Sequence, residues 1–220
     1  MNEGLRAALH ELDCASLADA DKAIRVCDAG LRPINPGHKL VGPARTVRCH
    51  EDFLGVIQAL EESRPGEVLV VDTQGSRRAV LGELFSLEAQ RRGLAGIVVD
   101  GLVRDTRTLA GLSLPIYARG ACPCAGTTSK LTTTQVPVTC GGVAVEPGDI
   151  VVGDRDGLVV ASAETLAVLV PIAREIEEKE HALRERLADG RGLVTMLNLA
   201  EHYAALERGE ASRLRFVFDE

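Results

Sequence analysis

Two short segments carry side chains of the kind that bind and activate small acids: Gly82-Glu83-Leu84-Phe85 and Arg104-Asp105. The first opens a helix that follows an apolar strand. The leading amides of a helix have no intrahelical partner, and the macrodipole draws anions to that end. The Leu84 and Phe85 amides can therefore receive a small carboxylate. Glu83 fits equally well as an acid that only complements the dipole, worth about 0.3–1 kcal/mol. In the second segment Arg104 offers a planar fork for carboxylate or enolate oxygens. The hard oxygens of Asp105 suit Mg²⁺ or Mn²⁺, and Mg²⁺ keeps several of its own waters. Taken alone, the dipeptide also fits a bland role, with Asp105 as N-cap of Thr106–Leu109 and Arg104 in a surface ion pair.

A third acid stands out by position. In the long helix beginning near Glu164, Leu169, Ile172, Ile176, Leu183 and Leu187 form one apolar stripe, and steps of four from Ile176 land on Glu180. A carboxylate on an apolar face is costly unless it is paired or near a cation. Glu180 therefore belongs at the rim of an interface or at a metal–water cluster, including one in a neighbouring subunit. Pro171 starts or kinks this helix. Other motifs fall away. Cys122-Pro123-Cys124 is too tight for half of a zinc ribbon and has no second pair. Asp154-Arg155-Asp156-Gly157 lacks the calcium-loop pattern and reads as a hairpin turn with Gly157 at positive φ. The five His show no metal spacing, and no nucleophile elbow or nucleotide loop is present.

The elements that must position these residues follow from periodicity. Asp13–Asp28 reads as a short helix capped by Asp13 or Ser16, and the Pro- and Gly-rich Leu31–Val41 as a loop. Ala44–Cys49 reads as a strand and Asp52–Ser63 as a helix, ended by Arg64-Pro65-Gly66. Val68–Val71, closed by Asp72, and Ile97–Val99, closed by Asp100-Gly101, are apolar enough for strands buried on both faces. Gly82–Arg92 lies between them as a helix with Gly93 at its C-cap. This βαβ unit sets Glu83 beside Arg104 and Asp105, at adjacent strand ends. Val136–Val138, Val143–Val145, Ile150–Val152 and Leu158–Val160, separated by glycine turns, predict an antiparallel β-rich lobe. Helices follow from Glu164 and near Thr195–Leu206. The expected organisation is a mixed α/β core over residues 1–162 and a C-terminal helical extension over 163–220, at a subunit interface.

Composition narrows the function classes. The chain has 220 residues, 45% hydrophobic and 26% charged, as in ordinary globular proteins. It has no Trp, so Leu, Val, Ile and Ala must fill the core. The net charge of −7 and the lack of a basic run argue against nucleic acid as a partner. No apolar stretch is long enough to span a membrane, and Met1–His10 lacks the apolar region of a signal peptide. With six scattered Cys, the simplest expectation is a cytoplasmic protein with reduced thiols.

The residues carry a family resemblance. Gly82-Glu83-Leu84, Arg92-Gly93, Gly96-Ile97-Val98-Val99-Asp100-Gly101 and Val103-Arg104-Asp105 resemble the central motif of one family. It contains the regulators of ribonuclease activity A and the 4-hydroxy-4-methyl-2-oxoglutarate/4-carboxy-4-hydroxy-2-oxoadipate aldolases. The shared pattern is an acid, twenty residues, then Arg-Asp, with Glu83 as the acid here. Gly42–Val47, Pro65–Asp72 and Pro147-Gly148-Asp149 through Gly157 also match, so that the resemblance covers roughly residues 13–185.

This resemblance implies an α/β/β swivelling-type fold, a homotrimer or homohexamer, and a class II pyruvate aldolase that also decarboxylates oxaloacetate. Asp105 would ligate Mg²⁺ or Mn²⁺ directly, and Glu83 would hold its water. Gly82, Glu83, Leu84, Phe85 and Arg104 would bind the pyruvate end of a small 2-oxo acid. A Glu from a neighbour's C-terminal helix would hold further metal waters, with Glu180 chosen over Glu175, Glu177 and Glu178. Metal and Arg104 would stabilise the enolate formed as C3–C4 breaks. No side chain stands out as the base for the 4-hydroxyl proton, so water held by Glu83 or Glu180 is the expectation. The rival is a non-catalytic regulator that binds an RNA-degrading enzyme. Such members usually end soon after the β-rich part, whereas this chain runs about 60 residues past Val160. A lyase acting on another 2-oxo acid is a third reading, since Cys122–Thr128 and Arg213–Glu220 depart from the family pattern. An older family label, a menaquinone methyltransferase, finds no cofactor loop here.

Overall fold

A computed structural model describes residues 1–217 of the chain. It begins with two short helices, α1 (Glu3–Glu11) and α2 (Cys14–Ala20), and two strands of two residues, β1 (Arg25–Val26) and β2 (Arg32–Pro33). The alternating core follows: β3 (Leu40–Arg48), α3 (Leu54–Glu62), β4 (Val68–Asp72), α4 (Glu83–Arg91), β5 (Gly96–Val103), α5 (Thr106–Leu109) and β6 (Ile116–Ala121). Four short strands come next, β7 (Val138–Cys140), β8 (Val143–Val145), β9 (Ile150–Gly153) and β10 (Leu158–Ala161). The chain then enters α6 (Ala163–Ala188) and α7 (Leu199–Glu207). No helix among the described residues is long and apolar enough to cross a membrane.

Strands β3, β4, β5 and β6 run parallel, and the eight-stranded order is β1-β10-β9-β3-β4-β5-β6-β2. Strand side chains alternate between faces. Leu69, Val71, Ile97 and Val99 meet Val56, Ala59, Leu60 and Ala89 of α3 and α4 on one side. On the other side Val68, Val70, Val98 and Tyr117 meet Val138, Cys140 and Val145 of the β7–β8 hairpin. Helices, sheet and hairpin thus stack in three layers. A third cluster joins α1, α2 and the first turns of α6 to Val41, Ile150, Val152 and Val159.

The strand order forces the sheet to curl. Strands β1 and β2 hold opposite edges, yet only residues 27–31 join them. Six residue steps reach at most about 22 Å, whereas eight flat strands would span about 34 Å. The edges must therefore bend towards each other.

Several expectations need correction. The predicted helix over Asp13–Asp28 stops at Ala20, because Asp21 turns the chain by accepting from the Ala23 amide (2.9 Å) and leads into β1. The predicted loop over Leu31–Val41 contains β2 and the start of β3. Leu40–Pro43 is a strand because β9 supplies an antiparallel partner there. The antiparallel part is not a separate lobe: β9 and β10 extend the main sheet, and only β7–β8 stands apart. Helix α1 and strand β6 also join the elements read from periodicity, and Thr106–Leu109, read as a segment that Asp105 could cap, is the short helix α5. Pro171 does not start α6, which begins at Ala163.

The apolar stripe on α6 is corrected as well. Its Leu183 and Leu169 are buried but its Ile172 and Leu187 are exposed, and beside Leu169 the residues Leu166, Val170 and Ala173 are buried. The buried residues up to Ala173 make the first turns of α6 part of the core. The compact division accordingly falls after Arg174 and not at 162/163, giving units of Met1–Arg174 and Glu175 onward. Within the second unit, Phe216 bridges to Leu197, and the Val217 amide donates to the Met196 carbonyl (2.8 Å). Of the apolar tail, Phe218 lies outside the described residues, as do Asp219 and Glu220.

One buried acid shapes the long connection after β6. Asp52, only 2% exposed, accepts from the Leu54, Ser129 and Lys130 amides (2.9, 2.7 and 3.1 Å) and the Thr127 hydroxyl (2.7 Å). Burial alone would raise its pKa, but these four donors outweigh it and hold the carboxyl below the ordinary carboxylate range. A depressed folded pKa stabilises above the unfolded value and is lost as pH falls through the folded one. Asp52→Ala should lower unfolding free energy by about 1–3 kcal/mol at pH 7 in urea titrations. The deficit of Asp52→Asn relative to the native protein should shrink below about pH 4.

Candidate active site

The segment ahead of α4 runs alongside the end of β5. Leu81 bridges in parallel to Val103, and the Arg104 amide donates to the Leu81 carbonyl (3.0 Å). Arg104-Asp105 is thereby set against the first residues of α4. A bulge in β5 between Val99 and Leu102 re-aims the strand just before this point. Asp105 itself sits in the left-handed region (φ 58°, ψ 35°), a conformation that Asp tolerates better than most residues.

The bland role for Asp105 is not the one observed. It occupies the N-cap position of α5 but its side chain makes no cap bond there. Its Oδ2 instead accepts from the Glu83 amide of α4 (3.1 Å), with Arg104 Nε 3.4 Å away. Among the described residues, Asp105 Oδ1 has no hydrogen-bond partner. Gly82, the N-cap of α4, makes this approach possible. A Cβ at Gly82 would collide with Asp105 Oδ2 and stand 2.9 Å from Arg104 Cγ.

With the first amide of α4 taken by Asp105, the Leu84 and Phe85 amides have no hydrogen-bond acceptor among the described residues. Ser86 closes the turn, its amide and hydroxyl both donating to the Gly82 carbonyl (3.1 and 2.9 Å). Glu83 is oriented by Thr108 of α5, whose hydroxyl donates to Glu83 Oε2 (2.8 Å). Beside this polar edge lies a small hollow walled by Phe53, Ala79, Leu81, Phe85 and Ala125. The Phe53 and Phe85 rings pack with centroids 5.5 Å apart. Arg104, Asp105 and Thr106 also open onto a second depression with Ala121, Cys122 and Pro123.

The structure thus brings together Gly82, Glu83, Leu84, Phe85, Arg104 and Asp105, all chosen from sequence. Thr108 and Phe53 join them unannounced: Thr108 depends on a single turn of helix too short to show periodicity, and Phe53 reads as ordinary core. Glu180 belongs to the second compact unit, where its Oε2 lies 3.7 Å from Arg184 one turn on. Among the described residues, no group of three or more His, Cys, Asp or Glu side chains is arranged to hold a metal ion. One or two carboxylates suffice for Mg²⁺, however, which prefers to keep its waters.

A neighbouring cleft, lined by Asp28, Asp72, Asp100 and Arg119, is structural. Arg119 is bonded to both Asp28 oxygens (3.0 and 2.7 Å) and to Asp100. The Asp28 and Asp100 hydrogen bonds hold Arg119 more firmly charged than usual, and Arg119 in turn lowers the Asp28 carboxyl. These bonds tie β6 to the bulge of β5 and to the segment that follows β1.

Sequence comparison decides the family. The model of the RraA-like family (Aldolase/RraA) matches residues 14–160. The chain belongs to that RraA-like family. An uncharacterized protein of Methanocaldococcus jannaschii is 39% identical over 184 residues, covering 79% of this chain and 88% of its own. A Halalkalibacterium halodurans protein, provisionally named a 4-hydroxy-4-methyl-2-oxoglutarate aldolase, is 34% identical over 175 residues, with 79% and 83% covered. Among solved structures, Streptomyces coelicolor RraAS2, described as an unusual member of the RNase ES inhibitor RraA family, superposes with a TM-score of 0.73. It is 34% identical and covers 84% of this chain and 97% of its own. The RraA-like family thus includes both aldolase-named and inhibitor-named proteins, and this chain resembles each at similar identity.

The tight approach at Gly82 gives a direct test of how the RraA-like site is built. Gly82→Ala should displace the Asp105 carboxylate, break the hydrogen bond that the Glu83 amide donates to it and lower stability by about 1–3 kcal/mol. Thermal unfolding measures the loss. Ser86→Ala, which removes a hydroxyl from the same turn while leaving the approach open, should cost less.

Proposed function

We propose that this RraA-like protein is a divalent-metal-dependent lyase that cleaves a 4-hydroxy-2-oxo acid, such as 4-hydroxy-4-methyl-2-oxoglutarate, to release pyruvate. The observation that carries this reading is the convergence of Arg104, Asp105 and two acceptor-free helix amides on one edge of a hollow.

The donor set fits a hard cation. Asp105 would hold Mg²⁺ or Mn²⁺ through its open Oδ1, and Glu83 would hold a water of that ion through the oxygen Thr108 leaves free. Glu180 of a neighbouring subunit, in a trimer or hexamer, would hold others. The bound ion supplies Lewis-acid polarisation of the 2-keto oxygen.

The chain's own groups do the rest. The Leu84 and Phe85 amides receive the substrate carboxylate, where the helix dipole favours it. The Arg104 guanidinium, beside Asp105 on the same edge, would face the 2-keto oxygen. When the 4-hydroxyl proton leaves and C3–C4 breaks, the electron pair moves towards that oxygen, and Arg104 stabilises the charge there. Oxaloacetate loses CO₂ through the same enolate, so it should serve as a second substrate. Water ordered by Glu83 accepts the proton. The hollow between Phe53 and Ala125 offers room for an apolar substituent on the substrate.

Purified protein should release pyruvate from both compounds with Mg²⁺ or Mn²⁺, lose turnover in EDTA and regain it when metal is restored. Asp105→Ala should abolish metal-dependent turnover, and Arg104→Lys should lower kcat about 10²- to 10³-fold. Folded, metal-supplied protein that turns over neither compound would overturn the lyase reading. An inhibition assay against an RNA-degrading enzyme would then distinguish the regulator role that the Streptomyces relative's description carries.

A further inference from the structure

Four of the six cysteines are buried and two are not. Cys14, Cys27, Cys49 and Cys140 are enclosed by the core, whereas Cys122 is half-buried and Cys124 is exposed. Burial pushes the Cys49 thiol up to about 12, and the Cys14 thiol is raised for the same reason. The thiol of Cys27 beside it, together with burial, raises that of Cys140. Thiolates react and thiols do not, so these buried groups are poorly placed for thiol chemistry. The pair that solvent reaches is Cys122-Pro123-Cys124, which the proposed chemistry leaves unused.

This pair has a defined place and a defined shape. The Cys122 amide donates to the Val103 carbonyl (2.9 Å), which puts Cys122 next to Arg104-Asp105. The Cys124 carbonyl accepts from Ala79 (2.8 Å), and Ala125 completes the wall of the hollow. The chain bends at Pro123. The bend turns Cys122 Sγ back onto the Cys124 amide, 3.4 Å away. Two residues further apart than about 7 Å at Cα cannot be bridged by a disulfide. Residues i and i+2 at a bend meet that limit, and here one sulfur already lies against the backbone of the other residue.

We propose that Cys122 and Cys124 form a reversible thiol-oxidation site on the wall of the cleft, taking low-molecular-weight disulfides as its reactant. The exposed Cys124 thiolate attacks one sulfur of the small disulfide, forming a mixed disulfide and releasing one thiolate. The Cys122 thiolate then attacks the Cys124 sulfur, closing the intrachain disulfide and releasing the second thiolate. One small disulfide is reduced to two thiols, and the protein dithiol is oxidised to one disulfide. Closing a ring across a single proline is strained, and strained disulfides are readily reduced. The pair therefore stays a dithiol in excess reduced glutathione and closes when glutathione disulfide prevails.

The test uses the full-length native protein equilibrated in glutathione buffers of graded ratio, acid-quenched, alkylated and mapped by peptide mass spectrometry. The expected result in excess glutathione disulfide is loss of both solvent-accessible thiols and one intrachain link between Cys122 and Cys124, reversed by reduced glutathione. Cys122→Ser should instead retain a glutathione adduct on Cys124, because the resolving thiol is gone. Cys124→Ser should form the adduct more slowly, on Cys122. A link mapped to Cys27 and Cys140, a disulfide between two chains, or unmodified Cys122 and Cys124 at the most oxidising ratio would each overturn the proposal. None of these readouts requires turnover, so a failed lyase assay leaves this test intact.

Discussion

The contact between the Asp105 carboxylate and the Glu83 amide organises the site. It joins the turn after β5 to the first turn of α4 and uses up one of the four orphan amides of that helix. Everything else at the edge follows from it. Gly82 must lack a side chain, Asp105 must take a left-handed backbone, and the next two amides are left to face a ligand. Thr108 completes the lock by fixing Glu83 from the opposite side. A polar edge built from two crossed turns is stiffer than one carried on a single loop, and preorganised dipoles are what stabilise developing charge.

The sheet beneath explains why these two turns meet. Parallel strands β4 and β5 pair from Val68 with Gly96 to Asp72 with Asp100, and β5 runs on past the end of β4 to Val103. The segment between Thr73 and Gly82 then returns to bridge the extended end of β5. Gly101 allows this crossing, since a Cβ there would strike the Thr73 side chain. The long connection after β6 closes the other side, pinned by Asp52 at Thr127–Lys130 and by Ala79 at Ala125. Ligand-facing groups at the carboxyl ends of parallel strands are a general outcome of this topology.

Much of this was legible in the sequence. Val68–Val71 and Ile97–Val99 are apolar on both faces because both faces are covered, and such runs have few other uses. Glu83, Arg104 and Asp105 could be brought together from the βαβ spacing alone. Other features were illegible for physical reasons. Strands β1 and β2 have two residues each, too few for any period, and exist only because neighbours supply their hydrogen bonds. Strand β6 carries Arg119 and Gly120 near its end, which masks the apolar Ile116–Ala118. Of the stripe drawn on α6, Leu169 and Leu183 are buried but Ile172 and Leu187 are not, and the core takes Leu166, Val170 and Ala173 beside Leu169 instead. Periodicity gives the hydrophobic faces of a helix, and only tertiary packing chooses among them.

The curled sheet has a consequence for how this chain meets other copies of itself. Both edges of the eight-stranded sheet are two-residue strands, the second ending at Pro33, and the five residues between them draw the edges together. Long open edges are where β proteins pair with foreign strands, and short edges with a proline blunt that tendency. The clasp formed by residues 27–31 thus works as a guard against strand-mediated aggregation. Edges this short offer a second copy of the chain little backbone to pair with, so contacts between copies at these edges fall to side chains.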